Sequence, residues 1–416
     1  MSFEQIVLKR RNKIKTNDVE DNMKQINFNE DITCGTILLD SNVCVKINNN
    51  VKITAIHDVN QYYKDNSIFL DNCGNELGRS LFFANGKENI EIVGECQNLI
   101  DGQGGLWKGE TDIHHRPSLI RFVNCKNILL KNLNLINSAC WCIHLQNCEN
   151  VIIENLNIES MCNHNNDGID IDCCRNVIVQ NCVLNTGDDS VVIKSTRNVL
   201  TNNISIDNCK ITSLGAGFKI GTETIGDISD IVFSNSDIFE SNGGSIKIIT
   251  TDGSNIDGIT VNNINIHHGT GPLFIANGNR MREYYSGETQ KIPGSIKNIK
   301  ISGVIGDVYA RKDKVVCEGK GVLLITGTPE MFIQNIEITN CDFKMPGGVL
   351  ETQKYHVKEL TTEYPEYYTL GTVPAWGAYI RQASNVKLNN VKFSLKENDV
   401  RDKVFLADVK NMAINN

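Results

Sequence analysis

Helical hydrophobic stripes at i, i+3, i+4 are almost absent from this 416-residue chain, which leaves an all-β class. No apolar run reaches transmembrane length, so no membrane partner is expected. Lys and Arg number 41 against 49 Asp and Glu, a net charge of −8 without a basic stripe, which weighs against nucleic acid. No signal peptide is readable: Phe3, Ile6, Val7 and Leu8 are interrupted by Glu4-Gln5 and followed by Lys9-Arg10-Arg11. No linker stands out, so one domain is read over residues 1–416, with 1–35 as an N-terminal cap. No second ligand at metal spacing accompanies His164, and neither a metal nor a cofactor is expected.

What is present is a repeat. Asn127-Ile128-Leu129-Leu130-Lys131-Asn132 returns as Asn150-Val151-Ile152-Ile153-Glu154-Asn155 and as Asn176-Val177-Ile178-Val179-Gln180-Asn181. Weaker copies begin at Asn203, Asp230, Gly258, Asn298, Asn335 and Asn385, so the steps are 23, 26, 27, 27 and 28 residues, then 40, 37 and 50. Such a period with alternating apolar positions predicts a parallel β-solenoid, because one unit is too short to bury its own apolar face and must stack on its neighbours. Asn at equivalent corners suits a left-handed backbone and side-chain stacking.

Of the 15 cysteines, Cys125, Cys148 and Cys174 precede the apolar phrase and Cys182, Cys209 and Cys341 follow its second Asn. That placement predicts small stacked side chains, not disulfides, and with the missing signal peptide it points to the cytoplasm. Ser2-Phe3-Glu4-Gln5 reads as a capping box opening a short helix that covers the solenoid's end. Two stretches break the repeat and are read as loops shaping a cleft. Residues 277–293 carry Arg280, Arg282, Tyr284 and Tyr285; residues 348–374 carry Tyr355, His356, Tyr364, Tyr367 and Tyr368. The exposed solenoid end leaves monomer and homodimer open.

Acidic residues fall on two successive coils, at Asn165-Asn166-Asp167-Gly168 and Gly187-Asp188-Asp189, with Asp167 and Asp188 separated by 21 residues. Stacking gathers three carboxylates. Two carboxyl groups about 6.5–9.5 Å apart can protonate a glycosidic oxygen and activate a water with inversion, and crowding raises the pKa of at least one acid. Asp and Asn before Gly are also ordinary turn residues and such acids are often structural, the class to which Asp170 and Asp172, alternating within Ile169-Asp170-Ile171-Asp172, are assigned. Position in the repeat singles out the other three.

These motifs resemble glycoside hydrolase family 28, the polygalacturonases and rhamnogalacturonan hydrolases. The likeness extends from Gly35-Thr36 through Ile100-Asp101-Gly102-Gln103-Gly104 and Arg116-Pro117-Ser118-Leu119-Ile120-Arg121 to Pro374-Ala375-Trp376-Gly377. It implies a right-handed parallel β-helix, Asp188 as general acid, Asp167 and Asp189 activating water, and an oligosaccharide substrate. Asn165, Arg116, Lys219, Glu223, Lys247, Trp141 and His115 are the implied substrate contacts. The family's Gly-His-Gly and Arg-Ile-Lys appear as Gly215-Ala216-Gly217 and Ser245-Ile246-Lys247, which moves the expected substrate toward rhamnogalacturonan-type or other specialised pectic fragments attacked from an end. A uronate lyase or epimerase, and a glycan-binding solenoid without catalysis, stand as alternatives.

Overall fold

Each asparagine opening an apolar phrase bends the backbone into the left-handed region: φ is 55° at Asn127, 59° at Asn150 and 56° at both Asn176 and Asn203. Asparagine tolerates this conformation better than most residues. Its side chain then lies over the equivalent asparagine one rung away. Asn127 Nδ2 donates to Asn89 Oδ1 (2.9 Å), Asn150 to Asn127 (3.0 Å), Asn176 to Asn150 (3.0 Å) and Asn203 to Asn176 (2.7 Å).

The computed structural model describes residues 23–65, 69–70, 76–110, 115–284, 292–309, 321–351 and 354–415. The helix expected at Ser2-Phe3-Glu4-Gln5, together with Tyr285, lies outside them. Within the segment expected as a cap, Lys24–Phe28 pairs in parallel with Val43–Ile47, and Ile32–Cys34 with Lys52–Ala55, so coil formation begins there. Chain packing separates two compact units, Met1–Val192 with Leu200–Lys210, and Ile193–Val199 with Ile211–Asn416.

The first unit stacks three columns of parallel strands. One column runs Ser80–Asn85, Ser118–Val123, Ile143–Gln146 and Ile169–Asp172. A second runs Glu88–Gly94, Lys126–Lys131, Glu149–Glu154, Arg175–Gln180 and Thr201–Asp207. The third runs Leu99–Asp101, Asn134–Ile136, Asn157–Ser160 and Val183–Thr186. Register places Ile90, Ile128, Val151, Val177 and Ile204 over one another, none more than 2% exposed. Each such side chain contributes about 1.5–3 kcal/mol on burial. Cys125, Cys148, Cys174, Cys182 and Cys209 are buried in this unit and not joined in disulfides, as the repeat position predicts.

The second unit repeats the plan with longer strands. Phe218–Thr224, Ile246–Thr250, Leu273–Asn277 and Leu323–Thr326 form one column, and Ile228–Ser241, Asn255–Gly269, Ser295–Val308, Ile333–Met345 and Ala375–Leu395 the other. Its interior stack is Ile231, Ile259, Ile299, Ile336 and Val386. Among the described residues the α-helix Tyr367–Leu370 is four residues long, and none is long and apolar enough to cross a membrane.

Asn150 both donates and accepts in its ladder, so Asn150→Ala removes two hydrogen bonds and puts a poorly suited residue at positive φ. The expected loss is about 2–4 kcal/mol. Asn150→Gly, which keeps the backbone accessible, should lose clearly less. Equilibrium denaturation of both variants reads the difference, and equal losses would show that the amide ladder, not the left-handed corner, carries the whole effect.

Candidate active site

In the first unit, the turn before Ile169–Asp172 is pinned from below by Asn166, whose side chain is fully buried. Its Nδ2 donates to the carbonyls of Ser138 (2.8 Å) and Cys140 (3.1 Å), and its Oδ1 accepts from the Asn163 amide (2.7 Å). Asn165 takes a left-handed φ of 55°. Arg116, 7% exposed, reaches across the same turn, donating to the carbonyl oxygens of His164 (2.7 Å) and Ala139 (3.3 Å) and to Asn165 Oδ1 (3.1 Å). Its guanidinium is thus engaged as a clamp on the acid-bearing turn.

The next turn is fastened directly to this one. Gly168 N donates to Asp189 O (2.9 Å), Ile169 N to Ser190 O (2.9 Å) and Asp188 N to Asn166 O (3.4 Å). A Cβ at Gly168 would meet Ser190 O at 2.4 Å, so this close approach requires glycine. Asp167, Asp188 and Asp189 therefore occupy adjoining rungs, about 4.8 Å apart along the stack. Asp167 and Asp189 are 4% and 7% exposed, whereas Asp188 is only half-buried and is the acid most open to solvent. Asp188 Oδ1 accepts from the Asp189 amide (3.0 Å), and Thr186 Oγ1 donates to Asp188 O (2.8 Å), which fixes the turn.

Trp141 sits one rung earlier, buried, with its ring edge-on to His144 at 5.0 Å. His115 is half-buried, with Nδ1 3.5 Å from Glu110 Oε2. Sequence reasoning passed over a buried polar layer beside them. Arg121 contacts His144 Nδ1, Asp65 Oδ2 (3.4 Å) and Gln146 Oε1 (3.3 Å), and Gln146 Nε2 donates to Asp172 Oδ2 (3.1 Å). Asp170 and Asp172 are fully buried in the strand Ile169–Asp172, and Arg121, His144 and Asp170 share one register column. Charged residues recurring at that column were the available signal.

The second unit holds Lys219, Glu223 and Lys247. Lys219 and Lys247 are register partners on adjacent strands. Both are covered by the 348–374 insertion: Lys219 Nζ donates to Tyr364 OH (3.2 Å), and Lys247 Nζ to both Glu366 oxygens (2.6 and 2.5 Å). Glu223, 2% exposed, pairs with Lys194 at 3.4 Å. Burial works against its ionisation, yet the charges of Lys194, Arg280 and Lys219 hold its carboxyl below the ordinary range. The 277–293 insertion is anchored on Asp252, which receives Arg280 Nε (3.0 Å) and Nη2 (2.6 Å), the Arg282 amide (3.0 Å) and Tyr284 OH (3.2 Å). Ala216 and Ser245 are fully buried; Ser245 Oγ bonds Ser241 Oγ (2.8 Å). Among the described residues, no group of three or more His, Cys, Asp or Glu is placed to hold a metal ion.

Parallel coils carrying acids on adjoining turns belong to the class of all-β, right-handed parallel β-helix proteins. Residues 22–346 match Glycosyl hydrolases family 28, and the chain belongs to that family. It is 26% identical over 346 residues to an "Endo-polygalacturonase" of Pectobacterium parmentieri, covering 74% of this chain and 77% of that one. A "Probable polygalacturonase" of Vitis vinifera is 33% identical over 121 residues, 28% of this chain and 24% of the relative. The match thus spans about a quarter of that curated relative's length. In fold, the chain resembles a family 28 exopolygalacturonase of Yersinia enterocolitica, with a TM-score of 0.72 at 15% identity over 97% of this chain and 74% of the other. A hyperthermoactive exopolygalacturonase of Thermotoga maritima gives 0.64 at 20% identity over 90% and 85%.

Glu223→Gln removes the buried carboxylate that pairs with Lys194 and is expected to cost about 3–5 kcal/mol at neutral pH. Because the folded carboxyl titrates below the unfolded one, its contribution is complete above the unfolded pKa of about 4.3 and fades as pH falls through the folded value. Denaturation midpoints measured down a pH series should therefore show the wild-type advantage shrinking below about pH 4.3. A gap independent of pH would overturn the charge assignment.

Proposed function

We propose that this protein is an inverting hydrolase of pectic oligosaccharides, of galacturonate or rhamnogalacturonan type, attacking from the chain end. The observation that carries the reading is the backbone bonding of Gly168 to Asp189 and of Asp188 to Asn166, which holds three carboxylates on adjoining rungs of a family 28 chain. A structural turn has no need of three acids at one place. Glycoside hydrolysis with inversion needs two, separated far enough to admit water.

Asp188 is the general acid in this reading. It is the acid most open to solvent, where a leaving sugar oxygen can reach it. Asp167 and Asp189, more buried and held by the turns, position the water and take its proton. Arg116 and Asn166 position Asp167 through the turn they clamp. The printed names of the Yersinia and Thermotoga exopolygalacturonases that share the fold support attack from an end. The Pectobacterium relative's name supports a galacturonate-containing substrate. Ala216 and Ser245, where polygalacturonases are expected to carry His and Arg, support a specialised one.

The test is incubation with polygalacturonan, rhamnogalacturonan and their short oligosaccharides, with products separated by mass and their anomeric configuration followed by NMR. A saturated monosaccharide released first as the inverted anomer is the expected product, and an unsaturated, ultraviolet-absorbing product would identify a lyase instead. Asp188→Asn should lower kcat by about 10²–10⁴-fold with an unchanged circular dichroism spectrum. Wild-type turnover by the variant would remove Asp188 from the mechanism.

A further inference from the structure

Lys219 and Lys247 are stacked in register on adjacent strands of the second unit, a placement that draws a negative group. That group is already supplied by the chain itself. Both carboxylate oxygens of Glu366 lie on Lys247 Nζ, at 2.6 and 2.5 Å, and the side chains of Lys247 and Glu366 are 1% and 15% exposed. A ligand meeting this position encounters the carboxylate before the ammonium.

The insertion has its own means of docking. Tyr367 packs against Phe274 with ring centroids 4.9 Å apart, and it fills a slot left open by two glycines. A Cβ at Gly271 would lie 2.4 Å from the Tyr367 hydroxyl, and one at Gly244 3.0 Å from its ring. Tyr364 adds the contact to Lys219. Apolar packing of Tyr367 and the Tyr364 contact thus hold the insertion alongside the ion pair. Besides compensating the buried ammonium, the charge of Glu366 acts on what Lys247 can bind.

We propose that Glu366 is a specificity-determining residue: it neutralises Lys247 from within, so that this position accepts the hydroxyl groups of a neutral sugar and rejects a carboxylated one. This rests on the reading of the protein as a pectic oligosaccharide hydrolase and narrows its substrate to fragments presenting a neutral sugar here. An acceptor-rich carboxylate favours hydroxyl donors, and a uronate would meet like charge.

The test uses full-length protein and two ligands that differ only in the carboxylate, methyl galactoside and methyl galacturonoside, with binding followed by ligand-observed NMR titration. Wild-type protein should bind the neutral ligand more tightly. Glu366→Gln should raise the affinity for the galacturonoside relative to the galactoside by about tenfold, the worth of one charge-assisted hydrogen bond, and added salt should weaken that gain. Replacing Lys247 by Met in the Glu366→Gln background should abolish it. A purely structural ion pair would lower both affinities together, and an unchanged ratio in folded Glu366→Gln overturns the proposal. So does a wild-type preference for the galacturonoside, which decides the matter even where the variant does not fold. Oligosaccharide turnover separates the two failures: product release with no discrimination by charge sinks this inference alone, whereas absence of any product and of any binding sinks both readings.

Discussion

The rungs turn at a left-handed corner, in most of them an asparagine bonded through its amide to the asparagine of the rung before, with Asp230 and Gly258 at the equivalent corner of two others. The bond repeats along the first unit from Asn89 to Asn203 and recurs in the second, where Asn335 donates to Asn298 and Asn385 to Asn335. Because the corner fixes where each coil turns, residues at the same offset from it arrive one above another. Core aliphatics, cysteines and catalytic candidates all inherit their places from that register. The 23-to-28-residue steps keep it, and the longer ones interpose loops without disturbing the corners they connect.

The same constraint places acids where chemistry can use them. Asp167 and Asp189 are covered while Asp188 is more open, a difference set by Asn166 and Arg116 beneath the first turn and by Thr186 beneath the second. Gly168 allows the two turns to touch. In the second unit the chemistry is arranged differently, through side chains that cross from insertions to strands, with Glu366 on Lys247 and Arg280 on Asp252.

Much of this was readable in the chain. Alternating Val and Ile after each asparagine announced the strands, and the Asp167-to-Asp188 step announced the crowding, because both follow from a period that any rung must obey. The partners of Lys247 and Lys219 were not readable: Glu366 is 119 residues from one and Tyr364 is 145 from the other, beyond any periodic signal. Asp170 and Asp172 were read as structural residues alternating within a strand, but their partners were hidden for a related reason. Alternation with Ile169 and Ile171 describes the local strand, but only the neighbouring rungs reveal Arg121 and His144 at the same column. Arg116 was expected as a substrate contact, whereas its engagement with the turn carbonyls depends on a fold-back of 48 residues that no periodic signal announces.

The glycine slot that receives Tyr367 has a consequence for the order in which the second unit forms. Rung-to-rung contacts there close over 28 to 50 residues, as from Asn263 to Asn235 and from Asn385 to Asn335, whereas the tyrosine reaches further back to a slot whose walls come from Gly244 and Gly271. Those walls exist only once two successive coils have stacked. Closing the longer chain segment carries the larger entropic cost, so the insertion settles after the coils beneath it. The neutralised lysine is therefore a late product of folding, and a nascent second unit passes through a stage in which both stacked lysines face solvent.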